Sequence, residues 1–227
     1  MKQKERAEST RRSLLRAAAE VFAEEGFVSA TISSISRKAG LSNGALHFHF
    51  ENKLGLGQAV EAEFADTVAR IIREADERPG SALQRLINAA NALMRSIDDD
   101  IVVRAGFQMA GAASWDTSHL DRQGRWRGWI DGVLHAAQRE GMLADDVSPA
   151  QASAAIVATT VGLAVLGLRD PQWVSSEGLR DYWELMLPRL TQPDVLAELV
   201  PQGTHRHDPG PTDAAAEPAG HSGPTTG

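Results

Sequence analysis

The chain contains no cysteine. Disulfides, thiolate zinc sites and a cysteine nucleophile are thereby excluded, and nothing in the 227 residues calls for an oxidising compartment. No secretory leader is expected either. The opening "MKQKERAESTRRSLLRAAAE" is charged and lacks an apolar stretch followed by a small-residue cleavage site, so the expected location is the cytoplasm. Alternating apolar and polar runs long enough for strands are absent, which argues against a sheet. No Walker loop, G-x-S-x-G or H-E-x-x-H is present, so no enzyme and no cofactor are expected.

Net positive charge is lacking too. At −7 the chain is not one that coats nucleic acid over its whole surface, but the charge is divided unevenly. Residues 1–53 carry nine Lys/Arg against six acids, a balance of +3, and the remainder carries −10. A basic head on an acidic body would meet a polyanion with the head only; ordinary scatter of surface charge is the alternative.

What is there is helical periodicity, and the expected fold is all-α. Leu14, Ala18, Val21 and Phe22 form one stripe of a first helix ending near Gly26, with Ser9 or Thr10 placed to cap its start. Ile32, Ile35 and Ala39 mark a short second helix stopped by Gly40. Ser42 caps a third, on which Ala45 and Phe48 are expected to face inward. A long helix follows from Lys53 until "ERPGS", then helices over Leu83–Ile97, Ile101–Ala112 and around Trp126–Leu134. Ser148-Pro149 opens an uncharged helix through Leu168. That run is short for a membrane span and has no basic flank on its N-terminal side, so no membrane is expected; a helix apolar all round fits between its own domain and a second subunit. The last helix, with Leu179, Trp183 and Leu190, would accompany it there. From about Pro201 the chain is rich in Pro, Gly and Ala with few large apolar residues, and reads as a disordered tail over 201–227. The expected organisation is therefore 1–53, 54–200 and the tail.

The stretch "GLSNGALHFHFENK" concentrates two histidines, two phenylalanines and two glycines. Metal binding fits poorly, because histidines two apart point to different sides of a helix and no Cys/His cluster completes a coordination sphere; no metal site is assigned. A short helix, a tight turn and a second short helix braced by an amphipathic one make a helix-turn-helix, whose second helix enters the major groove of double-stranded DNA. Gly44 and Ala45 would allow close approach to the duplex. Ser42, Asn43 and His47 would lie near base edges and phosphates, and Lys53 at a helix N-terminus that attracts phosphate. Arg11, Thr31 and His49 complete the candidate DNA-contacting set.

The segment "TISSISRKAGLSNGALHFHFENK" resembles the DNA-binding signature of TetR-type transcriptional repressors, T-I-x-x-I-x-x-x-A-G-[VL]-[ST]-x-G-A-L-[YH]-x-H-F-x-x-K. Members usually have lysine where this chain has Asn43 and tyrosine where it has His47, so operator sequence does not carry over. Asn43 offers a paired contact to adenine. Within the family, "GALHFHFENK", "VVRAGFQMA" and "RWRGWIDGVL" are similar to segments of the γ-butyrolactone autoregulator receptors and antibiotic-sensing relatives of filamentous actinomycetes. The resemblance implies a homodimer that represses from a palindromic operator until a small-molecule effector releases it. It implies a ligand-covering role for Trp126 and a ligand hydrogen bond from Thr159. On spacing alone, a tryptophan such as Trp126 on an amphipathic stripe is more often core than a ligand platform, and Thr159 and Thr160 can satisfy themselves on helix carbonyls. Phe107, Met109, Val133 and Val161 are candidate walls of a mainly apolar pocket, and the lack of an obvious countercharge favours a neutral ligand. The alternative function is a ligand-sensing or protein-binding module that no longer binds DNA tightly.

Overall fold

The computed structural model describes residues 2–111 and 119–204. The expected all-α fold is observed: the described residues form ten α-helices, a single 3-10 turn and one isolated antiparallel bridge between Leu143 and Thr191. The head comprises α1 (Lys2–Ser29), α2 (Ile32–Lys38) and α3 (Asn43–His49). Then come α4 (Lys53–Glu77), α5 (Ala82–Asp99), α6 (Ile101–Gly111), α7 (His119–Arg139), α8 (Pro149–Gly167), the 3-10 turn Pro171–Val174, α9 (Ser176–Leu190) and α10 (Pro193–Leu196).

Helix α1 begins at Lys2, well before its apolar stripe, because its first turns consist largely of good helix formers. Ser9 and Thr10 therefore lie inside the helix rather than at its cap, and Ser13 Oγ donates to the Ser9 carbonyl at 3.1 Å. Gly26, with φ of 78°, breaks the helix where the sequence placed its end. Thr31 and Ser34 build a capping box at the start of α2, and Ser42 Oγ accepts from Ala45 N at 3.1 Å to cap α3. Ser148 and Pro149 open α8 as expected, although the Ser148 side chain makes no capping bond.

Two apolar cores result. The head core gathers Leu14, Ala18, Phe22, Ile35, Leu46 and Phe50, and the body core is built on α5, α7, α8 and α9 around Trp183. Helix α4 belongs to both, with Leu56 and Val60 in the head core and Val68, Ile71 and Ala75 in the body core. Helix α6 also reaches across: its Ala105 and Met109 pack in the head core. Packing is thus shared over the expected boundary at residue 53. Gly106 makes this crossing possible, since a Cβ there would stand 2.7 Å from the Val60 carbonyl oxygen and 2.8 Å from Phe64 Cβ.

The chain after α10 is held for longer than its composition suggests. Gln84 on α5 exchanges two hydrogen bonds with the Val200 backbone, Asn88 exchanges two with Thr204, and Asn91 Nδ2 donates to the Pro201 carbonyl at 3.2 Å. These amides lie on one face of α5 and read the backbone of the segment, so side-chain apolarity was the wrong guide for 201–204. The remainder of the expected tail, 205–227, lies outside the described residues.

Candidate nucleic-acid interface and effector site

The outer face of the head is set by α3. Its buried residue is Leu46, followed by Phe50 just past the helix end; Phe48, expected inside, is 81% exposed. The inward pair is thus spaced by four residues rather than the expected Ala45–Phe48 three, which turns Phe48 outward beside His49, edge to face at 5.1 Å. Ser42, Asn43, Gly44 and His47 are exposed, and Ala45 and His49 are half-buried. Asn43 Nδ2 donates back to Ser33 Oγ of α2 at 3.3 Å, and His47 Nδ1 lies 3.3 Å from the Glu51 carbonyl. Nothing but Ser42 Oγ, at 3.8 Å, would meet a Cβ on Gly44.

The other head residues have structural partners. Thr31 Oγ1 accepts from Ser34 N at 3.0 Å while Thr31 itself stays exposed. Arg11 lies over the Phe50 ring at 5.3 Å and 3.9 Å from Glu63 of α4. Lys53 opens α4, at the helix N-terminus where the sequence places it, and its side chain turns back to α1. Its Nζ donates to the carbonyls of Phe27, Val28 and Ala30, each at 2.9 Å, and sits 5.0 Å from the Phe27 ring centre. All three ammonium protons are thereby committed to closing the end of α1.

In the body, Trp126 and Val133 lie one above the other in the core, and Trp126 Nε1 donates to Thr160 Oγ1 at 3.4 Å. The Thr160 hydroxyl in turn donates a hydrogen bond to the Ile156 carbonyl at 2.9 Å. Thr159, the residue singled out by resemblance, is one step round α8; its Oγ1 donates to the Ala155 carbonyl, and it neighbours Tyr182 of α9, whose phenol is pushed up by burial. Val161 is exposed on the outer side of α8. Phe107 meets Phe64 at 5.6 Å, while Met109 is not with Trp126 at all but in the head core. Of the six expected pocket residues, Trp126 and Val133 lie in the body core and Phe107 packs against it, Met109 lies in the head core, and Thr159 and Val161 lie on α8 away from its buried stripe. Trp126 also stacks on Trp129 at 5.4 Å, and Trp129 Nε1 donates to Asp76 Oδ1 near the end of α4 at 2.9 Å.

Residues 14–60 match the family model described as bacterial regulatory proteins, tetR family. The chain is 30% identical over 207 residues to the A-factor receptor protein of Streptomyces griseus, covering 89% of this chain and 71% of that protein. The chain belongs to the TetR family. Among solved structures, a gamma-butyrolactone receptor described as ArpA-like superposes with a TM-score of 0.74 at 27% identity, covering 85% of this chain and 94% of that one. CprB from Streptomyces coelicolor, solved in complex with its operator sequence, superposes with a TM-score of 0.72 at 28% identity over 85% and 94% of the two chains. This TetR-family chain is thus a transcriptional regulator related to butyrolactone receptors, and its family is one of regulators rather than enzymes.

Helix α8 of this regulator is long and apolar enough by composition to cross a membrane. Its two sides differ, however. Ile156, Thr160, Leu163, Ala164 and Gly167 form a stripe on the body core, while Val161, Val165 and Leu166 are exposed. On α9, Leu185 is 75% exposed. Sequence reasoning read the Thr160 hydroxyl as satisfied by its own helix, as the bond to the Ile156 carbonyl has it, but missed the outward Phe48, the Trp126–Thr160 bond and the Trp129–Asp76 bond. The only signal for the Trp126–Thr160 bond was the place of Thr160 on the 156, 160, 163, 164, 167 stripe, which an all-apolar helix offers no polar contrast to reveal.

Proposed function

We propose that the protein is a homodimeric, ligand-released repressor working in the cytoplasm: two heads hold a palindromic operator, and a small neutral effector bound beside Trp126 lowers that affinity. The effector class is a γ-butyrolactone-type signal or an antibiotic or its intermediate, and the regulated genes belong to secondary metabolism. The observation that carries this reading is α4, one helix whose first turns are built into the head core and whose last turn is hydrogen-bonded to the Trp126–Trp129 stack. Kinship with the A-factor receptor and with structures described as gamma-butyrolactone receptors supports the effector class.

The DNA side rests on the exposed α3 face: Ser42, Asn43, Gly44, Ala45, His47, Phe48 and His49, flanked by Arg11 and Thr31. Asn43 reads a base only after exchanging Ser33 for it, because a paired contact to adenine needs the amide nitrogen. Lys53 contributes by fixing α4 to α1 and through the backbone at the start of α4. The dimer rests on the exposed apolar side of α8 with Leu185, which two-fold packing would cover. Heads so joined must sit roughly 34–36 Å apart to enter successive major grooves, and an effector that favours another separation shifts the population away from the operator.

Anisotropy titration of labelled DNA from the region upstream of the protein's own gene, with and without a panel of γ-butyrolactones and locally made antibiotics, tests the reading. Tight, salt-sensitive binding reversed by one panel member is the expected result. Absence of specific binding there and in a random-sequence selection would sink it.

A further inference from the structure

The body has a second concavity, along the seam between α4 and α5. Two hollows share Ala92: a narrow slot reaching Arg78 and Arg85, and an open cleft of about 320 Å³ bounded by Thr67, Arg70, Arg95, Ser96 and Asp99. The cleft falls at the lower end of the range for small-molecule sites. Four guanidinium groups line this seam, against the carboxylates of Glu74, Asp99 and Asp100.

The four are not equally engaged. Arg70 pairs with Glu74 at 3.3 Å. Arg85 Nε is buried without a hydrogen-bond partner. Arg95 is half-buried on α5, and among the described residues it makes no hydrogen bond and no ion pair within 4 Å. Burial pushes Arg95 down from its ordinary range, and Asp99, one turn further along, opposes that only in part. A guanidinium that has lost water without gaining a partner is destabilised, and a planar carboxylate meets its fork with two parallel hydrogen bonds.

We propose that the α4–α5 cleft binds a small organic carboxylate, seated on Arg95 with its remaining polar groups toward Ser96, Thr67 and Asp99, at a site separate from Trp126. The apolar part of such a ligand would rest on Ala92 and Val103, which line the same cleft. Val103 belongs to α6, whose Ala105 and Met109 pack in the head core, so the occupant touches both helices that tie head to body. The site stands whether or not the Trp126 region takes a butyrolactone.

The test is calorimetric titration of the full chain at fixed ionic strength with citrate, L-glutamate and benzoate as carboxylate probes, and with inorganic phosphate as the second anion. Saturable binding of at least one carboxylate is expected, weakened by about ten-fold or more in Arg95→Gln and unchanged in Arg180→Gln, an exposed ion-paired arginine on α9. Arg95→Lys keeps the charge without the fork, and intermediate weakening there supports the bidentate seat should Arg95→Gln fold poorly. Three results overturn the proposal: no saturable binding up to roughly 10 mM of any carboxylate, equal affinity in folded Arg95→Gln, or phosphate binding alone, which would make the cleft a phosphate site.

Discussion

The two ends of α4 are anchored in different ways. At its start, Leu56 and Val60 are fully buried in the head core, Asn52 caps the helix through Gly55 N at 2.8 Å, and the Lys53 ammonium ties it to three carbonyls closing α1. Near its end, Ile71 and Ala75 pack in the body core, but the polar tie is light: Asp76 is exposed and holds the Trp126–Trp129 stack by one hydrogen bond. A helix packed in both cores, with many polar ties at one end and a single one at the other, carries a displacement of that lightly tied end to the firm one. The head should therefore move with α4 as a unit, and the coupling free energy between effector and operator is limited by what the Trp129 end can deliver.

Separating α4 from α6 should have the largest effect. Gly106→Val places side-chain atoms where even a Cβ would overlap the Val60 carbonyl, and the expected loss is about 2–3 kcal/mol of stability, read by urea unfolding. A neutral result would mean that the two helices are not held as closely as described. Next comes the firm end itself. Lys53→Met leaves three carbonyls without their shared donor and should cost about 2 kcal/mol in stability. The slope of log operator affinity against log salt should stay as in the wild type; a slope shallower by about one unit would show instead that the ammonium meets a phosphate.

The head was legible in the sequence because its constraints are local. The cap at Ser42, the break at Gly26 and the turn at Gly40, with φ of 68°, each act within a few residues. The helices of the body were legible for the same reason. What failed was orientation across helices. Phe48 was placed on the wrong side of a correctly expected helix, because a step of one residue turns a side chain by about 100° and only the packing partner decides between neighbours. The position of Met109 in the head core was hidden for another reason: α6 leaves its own domain to pack against α1 and α4, and periodicity says nothing of where a helix goes. The hold on 201–204 was hidden because it comes from side-chain amides of α5 more than a hundred residues away.

Phe48 sharpens the contrast at the DNA face. As it is 81% exposed, Phe48→Ala should leave stability within about 0.5 kcal/mol of the wild type. Operator affinity should fall by about 1 kcal/mol, as expected when a phenyl ring loses partial burial against sugars or thymine methyls. Unchanged affinity on every operator variant would remove Phe48 from the interface.

The smallest effect is expected at the light end, where it is also the most informative. Trp129→Phe keeps an aromatic ring to stack on Trp126 and deletes only the N–H that reaches Asp76, so stability should drop by about 0.5 kcal/mol. Operator affinity without effector should be nearly unchanged, because the firm end is intact. Effector affinity should also hold, because Trp126 and Thr160 keep their own hydrogen bond. What should change is the ratio of operator affinities with and without effector, measured by anisotropy, which should move toward one. Asp76→Asn is the control: the amide oxygen still accepts from the indole, so the ratio should stay close to that of the wild type. If both variants release DNA as the wild type does, the signal does not travel through the Trp129 end, and the shared packing of α4 and α6 around Gly106 becomes the route to probe.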